Sequence, residues 1–457
     1  MSSREQEWGT LRLSHDSTQV WTERMLAALE RGNDARQWHT LIDKVFSPKT
    51  LALAFASVTK KDRAAGVDGI TTQAMRQREA QELPVIERLL REERYEPQPV
   101  RRVWIEKPGS REKRPLGIPT VRDRIVQQAL RAVIEPIFER DFSDQSYGFR
   151  PGRSARAAVA RVEEQLEAGK TWVVDADIKG YFDNIPQDQL LALVTHKISD
   201  RKILGMLGKF LRQGVMEGMN GWQPTASGTP QGAIISPLLA NIYLDPLDHL
   251  MAAKGWEMTR YADDFIIQCH TEAEALAALA EVEAWMAEAG LTLHPEKTRV
   301  VDATRKGGFE FLGWHFERGY KWPRRKSIQK LKDSVRARTK RNNGHDMCTI
   351  IKRVNSITRG WGNYFRGGVQ KVPKSLDQWI RMRLRSILRK RDKRKGRGHG
   401  RDHNRYPNAW FALAGVGFPD YDHPRLSRES HEVKGASPTC GNSSTGEPDA
   451  GNPPVRF

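Results

Sequence analysis

Two apolar stretches that run into carboxylates constrain this chain more than any other feature. In the first, Trp172-Val173-Val174-Asp175-Ala176-Asp177, a strand-like run rich in β-branched residues ends in Asp-x-Asp. In the second, Trp256 to Tyr261 reads as a short strand and Phe265-Ile266-Ile267-Gln268-Cys269 as another. Asp263 and Asp264 lie between them, so the segment predicts a β-hairpin with two carboxylates at its tip. Like charges on a turn flanked by apolar strands repel one another, and a cation held between them would remove that cost. Taken alone, each stretch also fits a solvated turn or a helix cap. The rest of the chain has to decide.

The charge distribution narrows the partner. Residues 321–405 hold 28 Lys and Arg against 5 Asp and Glu, whereas the remaining 372 residues carry 47 basic and 51 acidic side chains. One strongly cationic segment on a nearly neutral protein points to a polyanion, most simply nucleic acid. No apolar run reaches membrane-span length, so a membrane partner is not expected. The N-terminus carries no secretory signal, and Cys269, Cys348 and Cys440 form no CxxC pair. This argues against a zinc ribbon or a disulfide scaffold and fits a reducing, cytoplasmic interior.

Local patterns place elements around these segments. Residues 1–45 read as partly amphipathic helix. Ser47-Pro48 opens another helix as N-cap and N1, with Leu51, Phe55 and Val58 as its apolar stripe. Tyr95 to Pro119 reads as a cationic β-ribbon turning at Lys107-Pro108-Gly109-Ser110, and a helix follows from about Asp123 to Glu139. Helices are expected at 187–197, at 199–214 and from Ser236 (N-cap) to about Ala253. Thr271-x-x-Glu274 reads as a capping box for a helix ending at Gly290, with Leu276, Leu279, Val282 and Met286 inward. From Trp172 to Val301 the order strand, helices, hairpin, helix, strand matches a ferredoxin-like split βαβ sheet. That topology would bring Asp177 beside Asp263 and Asp264, although 86 residues separate Asp177 from Asp263. Three carboxylates without His or Cys suit two Mg²⁺ ions serving a phosphoryl-transfer reaction.

Further motifs carry a resemblance. Asp177-Ile178-Lys179-Gly180-Tyr181-Phe182-Asp183, Gly228-Thr229-Pro230-Gln231-Gly232 with Ser236-Pro237, and Tyr261-Ala262-Asp263-Asp264 resemble three successive reverse-transcriptase motifs. Arg114-Pro115-Leu116-Gly117-Ile118-Pro119 and Ser146-Tyr147-Gly148-Phe149-Arg150-Pro151-Gly152 are similar to finger motifs of group II intron-encoded proteins. Lys297-Thr298 and Phe311-Leu312-Gly313-Trp314 resemble the blocks after the catalytic hairpin, and Ile357 to Phe365 resembles the maturase (X) domain. The resemblance covers roughly residues 15–420.

It implies an α+β right-hand polymerase with a ferredoxin-like palm sheet, followed by a helical thumb that is also the maturase domain. The expected division is an N-terminal extension (1–60), fingers (61–165), palm (166–314), thumb (315–420) and a disordered tail (421–457). Asp177, Asp263 and Asp264, with the Ile178 carbonyl, would hold two Mg²⁺ ions. Phe182 would gate against a ribose 2′-hydroxyl and Gln231 would lie on the incoming dNTP. Lys107 and Arg114 would meet its triphosphate, with Arg111, Lys113 and Arg122 as rivals, and Lys297 would face the leaving pyrophosphate. Asp175 reads as structural. Arg381, Arg383, Arg385 and Arg389 would grip RNA phosphates. The implied partners are the group II intron RNA, a DNA target and primer, and dNTPs, with a homodimer left open. Many relatives end in an HNH endonuclease with paired cysteines; here the stretch after Pro419 is Ser-, Gly- and Pro-rich, so second-strand nicking is not expected. An RNA-binding splicing cofactor without polymerase activity, or a retron-like enzyme, is the competing reading.

Overall fold

The computed structural model describes residues 13–31, 37–106, 113–218, 221–225, 227–369, 371–395 and 400–418. The chain forms two compact units, one ending at Asp302 and one beginning at Ala303. Its strands, in chain order, are β1 (Val100–Glu106), β2 (Lys113–Ile118), β3 (Trp172–Asp177), β4 (Val215–Glu217), β5 (Gly221–Gln223), β6 (Glu257–Tyr261), β7 (Asp264–Cys269), β8 (Arg299–Asp302), β9 (Phe309–Phe311), β10 (Trp314–Glu317) and β11 (Tyr320–Pro323).

In the first unit, β6-β7-β3-β8 form one sheet in that order, with every neighbouring pair antiparallel. Read by chain position from the β8 side, the order is fourth, first, third, second, which is the split βαβ arrangement expected from the sequence. Val173, Val174, Phe265, Ile266 and Ile267 are all fully buried. Successive strand residues face opposite sides, so both faces of the two central strands are covered. This explains why these runs are continuously apolar rather than alternating. Each such side chain contributes roughly 1.5–3 kcal/mol on burial. Helices Ala155–Glu167 and Glu272–Glu288 pack on the sheet, and helix Ser236–Ala253 packs against β6.

The β1–β2 ribbon is antiparallel as expected, from Arg101↔Ile118 to Glu106↔Lys113. It also gains β4 as a parallel partner and β5 beyond it. The ribbon's turn, with Lys107 and Arg111, lies outside the described residues. Ser47 caps its helix by accepting from Thr50 N at 3.2 Å. Thr271 likewise accepts from Glu274 N at 3.2 Å, while Glu274 returns its bond to His270 N at 2.9 Å.

Two local expectations are corrected. Ser236 is already inside its helix, with Ile235 as N-cap, because its hydroxyl bonds to Pro230 O at 2.9 Å instead of capping. Leu276 is 52% exposed; the buried stripe of that helix runs through Ala275, Ala278, Val282 and Met286. The small alanines admit close packing on the sheet, which rotates the larger Leu outward.

The second unit begins with the antiparallel sheet β9-β10-β11. Helices Arg325–Arg338, Met347–Tyr364, Lys371–Arg391, Arg401–Arg405 and Asn408–Leu413 follow. Val335, Ile350, Ile351, Leu384, Ile387 and Phe411 centre its core. Among the described residues no helix is long and apolar enough to cross a membrane. The expected tail, 421–457, lies outside the described residues.

Candidate active site

The sheet register alone assembles the acidic edge. Asp177, the last residue of β3, pairs directly with Asp264, the first of β7. Tyr261 pairs with Asp264 across the hairpin, so the turn itself is Ala262-Asp263. Ala262 has φ +61°, the left-handed conformation that two-residue hairpins demand. A non-glycine residue there needs support. Arg260 supplies it: its fully buried guanidinium donates to Ala262 O at 2.8 Å. The same guanidinium bonds Asp248 Oδ1 at 2.7 Å, Asp248 Oδ2, Asn241 Oδ1 at 3.1 Å and Ser146 Oγ at 2.9 Å.

The Gln145–Phe149 segment closes over the hairpin from outside. Arg260 N donates to Gln145 O and Tyr147 N donates to Arg260 O, at 2.9 and 2.8 Å. Gly148 then passes so near the turn that a Cβ there would collide with the Ala262 backbone nitrogen. On the other side, Thr229 N donates to Phe182 O at 2.7 Å and Gly117 N donates to Gln231 O at 2.7 Å. The Gly228–Gly232 loop is thus bonded to both β2 and the Phe182 turn. At Gly232, with φ +110°, a Cβ would strike Gly117 O, so this loop seats directly on the ribbon.

Burial dominates the electrostatics of this edge. Burial, and then the Asp177 carboxylate, push Asp263 above the usual range, while its own backbone N–H, Arg114 and Arg260 pull it back. Burial also raises Asp183, opposed by Arg102 and Arg114. Arg114 therefore acts on both Asp263 and Asp183. Lys297 Nζ lies 2.6 Å from Asp177 Oδ2. Gln231 Nε2 bonds Asp183 Oδ2 at 3.2 Å. Phe182 is half-buried and meets Tyr181 edge-on, with ring centroids 5.6 Å apart. Arg122, one of the rival cations, is taken up by Glu82 at 2.5 and 2.9 Å. Asp175 bonds Arg299 at 3.1 Å.

The donor set is all oxygen, which suits a hard divalent cation. Among the described residues no three His, Cys, Asp or Glu side chains form a ready metal cage. Mg²⁺ needs only one or two carboxylates when substrate phosphates complete its shell, and Asp263, raised chiefly by burial, lies in the turn next to Asp264, which pairs with Asp177. The residues fit the ion on those terms.

The basic segment requires a correction. Arg381 and Arg385 were expected to reach phosphates, yet both are buried. Arg381 pairs with Asp377 one helical turn away. Arg385 bonds Tyr406 O at 2.9 Å and Asn408 Oδ1 at 2.6 Å, and burial pulls its pKa down to about 10. Arg383 is half-buried and bonds Thr339 Oγ1 at 2.7 Å and its carbonyl at 3.0 Å. Arg389 bonds Lys395 O at 2.7 Å and Asp402 at 2.5 Å. Arg383, Arg385 and Arg389 tie this helix to its neighbours in the second unit, whereas Arg381 bonds within its own helix. The exposed cations of helix Met347–Tyr364 are Lys352, Arg353 and Arg359. Its inner face carries Ile350, Ile351, Val354 and Thr358.

Sequence reasoning missed Arg260 and Phe149 as parts of this site. A lone Arg inside an otherwise buried strand was the available signal for the first.

Comparison with known proteins identifies what this sequence is similar to. Residues 105–316 match the family described as reverse transcriptase (RNA-dependent DNA polymerase), and residues 328–406 match the group II intron maturase-specific domain. The group II intron-encoded protein LtrA of Lactococcus lactis is 48% identical over 161 residues, 35% of this chain and 26% of LtrA. The match thus spans about a quarter of that relative's length. Protein YkfC of Escherichia coli is 32% identical over 333 residues, 64% of this chain and 86% of YkfC. Among solved structures, a chain of a Cas6-RT-Cas1–Cas2 complex aligns at TM-score 0.32 and 25% identity, over 55% of this chain and 42% of that one. An acidic edge set by strand register, followed in the same chain by a maturase-specific domain, leaves one family standing: this chain belongs to the group II intron reverse transcriptases and maturases.

Proposed function

We propose that this protein is an RNA-directed DNA polymerase that binds its group II intron RNA, assists its splicing and copies it into DNA during retrohoming. The observation that carries the reading is the alignment of Asp177 opposite Asp264 with Asp263 in the adjoining turn, at one edge of a split βαβ sheet. A chain that only bound RNA would gain nothing from bringing partly buried carboxylates together at one sheet edge.

In this reading the ribbon and its helices are fingers, the β6-β7-β3-β8 sheet is the palm, and the helices after β11 are the thumb and maturase domain. The reaction joins a primer 3′-oxygen to the α-phosphorus of a dNTP and releases pyrophosphate. Two Mg²⁺ ions held by Asp177, Asp263, Asp264 and the Ile178 carbonyl would supply charge stabilisation at the attacking and leaving oxygens. Gln231 and Phe182 flank the nucleotide, the Phe182 ring filling the space a 2′-hydroxyl would need. Arg114, with Lys107, meets the triphosphate. Lys297, seated on Asp177, offers positive charge and a proton to the departing pyrophosphate. Lys352, Arg353 and Arg359 present an outward cationic row to RNA phosphates.

The test is primer extension on an RNA template by Asp263→Ala with Asp264→Ala. Extension is expected to vanish while RNA affinity stays within a few fold of wild type. Extension at the wild-type rate by the double variant would overturn the assignment.

A further inference from the structure

Phe149 is the feature near the acidic edge that the mechanism above leaves unused. It is a large apolar side chain, 45% exposed, and its backbone sits at φ +59°. That conformation is unfavourable for a bulky L residue and persists only where the surroundings impose it. Here they do. The next residue, Arg150, is buried and donates to Glu139 at 3.0 and 3.1 Å, to Ser143 O at 2.5 Å and to Ser146 O at 2.9 Å. The preceding residue, Gly148, accepts from Asn241 Nδ2 at 2.8 Å and lies against the turn backbone. Asn241 also accepts from Arg260, which holds the carbonyl of Ala262. One polar network therefore fixes both the catalytic turn and the loop that displays Phe149.

The ring itself stands beside Tyr261, the residue that leads into the turn, with centroids 6.4 Å apart and planes tilted by 43°. A core role does not account for it, because nearly half its surface is wet. A free loop aromatic does not account for it either, because the backbone is pinned in a strained conformation. What such a rigid, exposed π-face beside a cluster of carboxylates suits is a nucleobase, which stacks without regard to sequence.

We infer that Phe149 is a stacking residue for the base pair at the primer 3′ end of an RNA–DNA duplex before a dNTP enters, holding that end against the Ala262-Asp263 turn until the incoming base takes the same face. This rests on the polymerase reading above. It adds a contact that positions the duplex for every template, since each base has a π-face to offer.

The test uses the full chain and an RNA template–DNA primer duplex with 2-aminopurine at the primer 3′ end. The variants are Phe149→Gly, Phe149→Leu and Phe149→Trp. Glycine adopts the left-handed conformation freely, so Phe149→Gly is expected to melt no lower than wild type, which separates loss of stacking from loss of fold. It should weaken duplex binding about five- to hundredfold and change the 2-aminopurine emission of the complex. KM for duplex should rise by a similar factor, with kcat nearly unchanged. Trp should restore both signals and Leu should not. Extension by wild type together with unchanged affinity and emission in Phe149→Gly would overturn the stacking role alone. Absence of extension by wild type on any RNA template would instead overturn the polymerase reading.

Discussion

Replacing Arg260 tests whether the buried ion pair holds the acidic Ala262-Asp263 turn. Arg260 and Asp248 are both 0% exposed, and the guanidinium makes five hydrogen bonds, two of them to Asp248. Arg260→Met keeps much of the volume but strands the Asp248 carboxylate in the core without a countercharge. Breaking a buried pair from one side costs about 3–5 kcal/mol. A typical domain has roughly 5–15 kcal/mol in total, so the first unit should become marginal. Arg260→Met with Asp248→Leu removes both charges, and such double replacements are often neutral or better. Stability should therefore return to within about 1–2 kcal/mol of wild type. Activity should not return, because the Ala262 carbonyl still lacks its donor and the turn carrying Asp263 loses its left-handed support. Guanidinium unfolding of the three proteins, alongside primer extension, separates the two effects. A loss below about 1 kcal/mol in the single variant would refute the reasoning, given the size expected for a broken buried pair. So would recovery of extension in the double.

Other outcomes follow from the same geometry. Phe182→Ala should raise rNTP incorporation relative to dNTP in competition assays, and an unchanged ratio would place the sugar gate elsewhere, with Tyr181 next in line. Neutralising Lys352, Arg353 and Arg359 should flatten the slope of log RNA affinity against log salt by about two to three, since each phosphate contact contributes close to one unit. Arg385→Met should instead lower the melting temperature, because that side chain bonds Tyr406 and Asn408 inside the unit. Asp263 binds its proton more tightly when folded than when unfolded, so without divalent cations stability should fall as pH rises through its folded pKa. Asp263→Asn should then melt higher than wild type at neutral pH, with the gap closing in acid; a gap independent of pH would count against this.

What the sequence determined by itself was the acidic edge. Strand periodicity, turn residues and the order of elements were enough to predict the sheet, because register in a two-sided sheet is dictated by which runs must be buried. Asp177, Asp263 and Asp264 fell into place from that alone. The capping residues Ser47 and Thr271 were legible for the same reason: a cap is a local event, decided by a side chain and the next three backbone amides. Charge content also indicated which segment is cationic.

What only the tertiary structure decided was where those cations point and what supports the turn. Arg381, Arg383, Arg385 and Arg389 look like phosphate grips in a list of residues, but a guanidinium also satisfies stranded carbonyls and carboxylates between helices. Which of these it does depends on neighbours distant in sequence, such as Asp402, Tyr406 and Asn408. Arg260 reads in the sequence only as part of a short strand, and the structure makes it the buried clamp of the hairpin. Phe149 reads as a turn aromatic, and its strained, exposed placement emerges only once Arg150 and Gly148 are fixed by partners 11 and 93 residues away. Periodicity reports which face of an element is buried; it carries no information about the long-range partner that buries a charge.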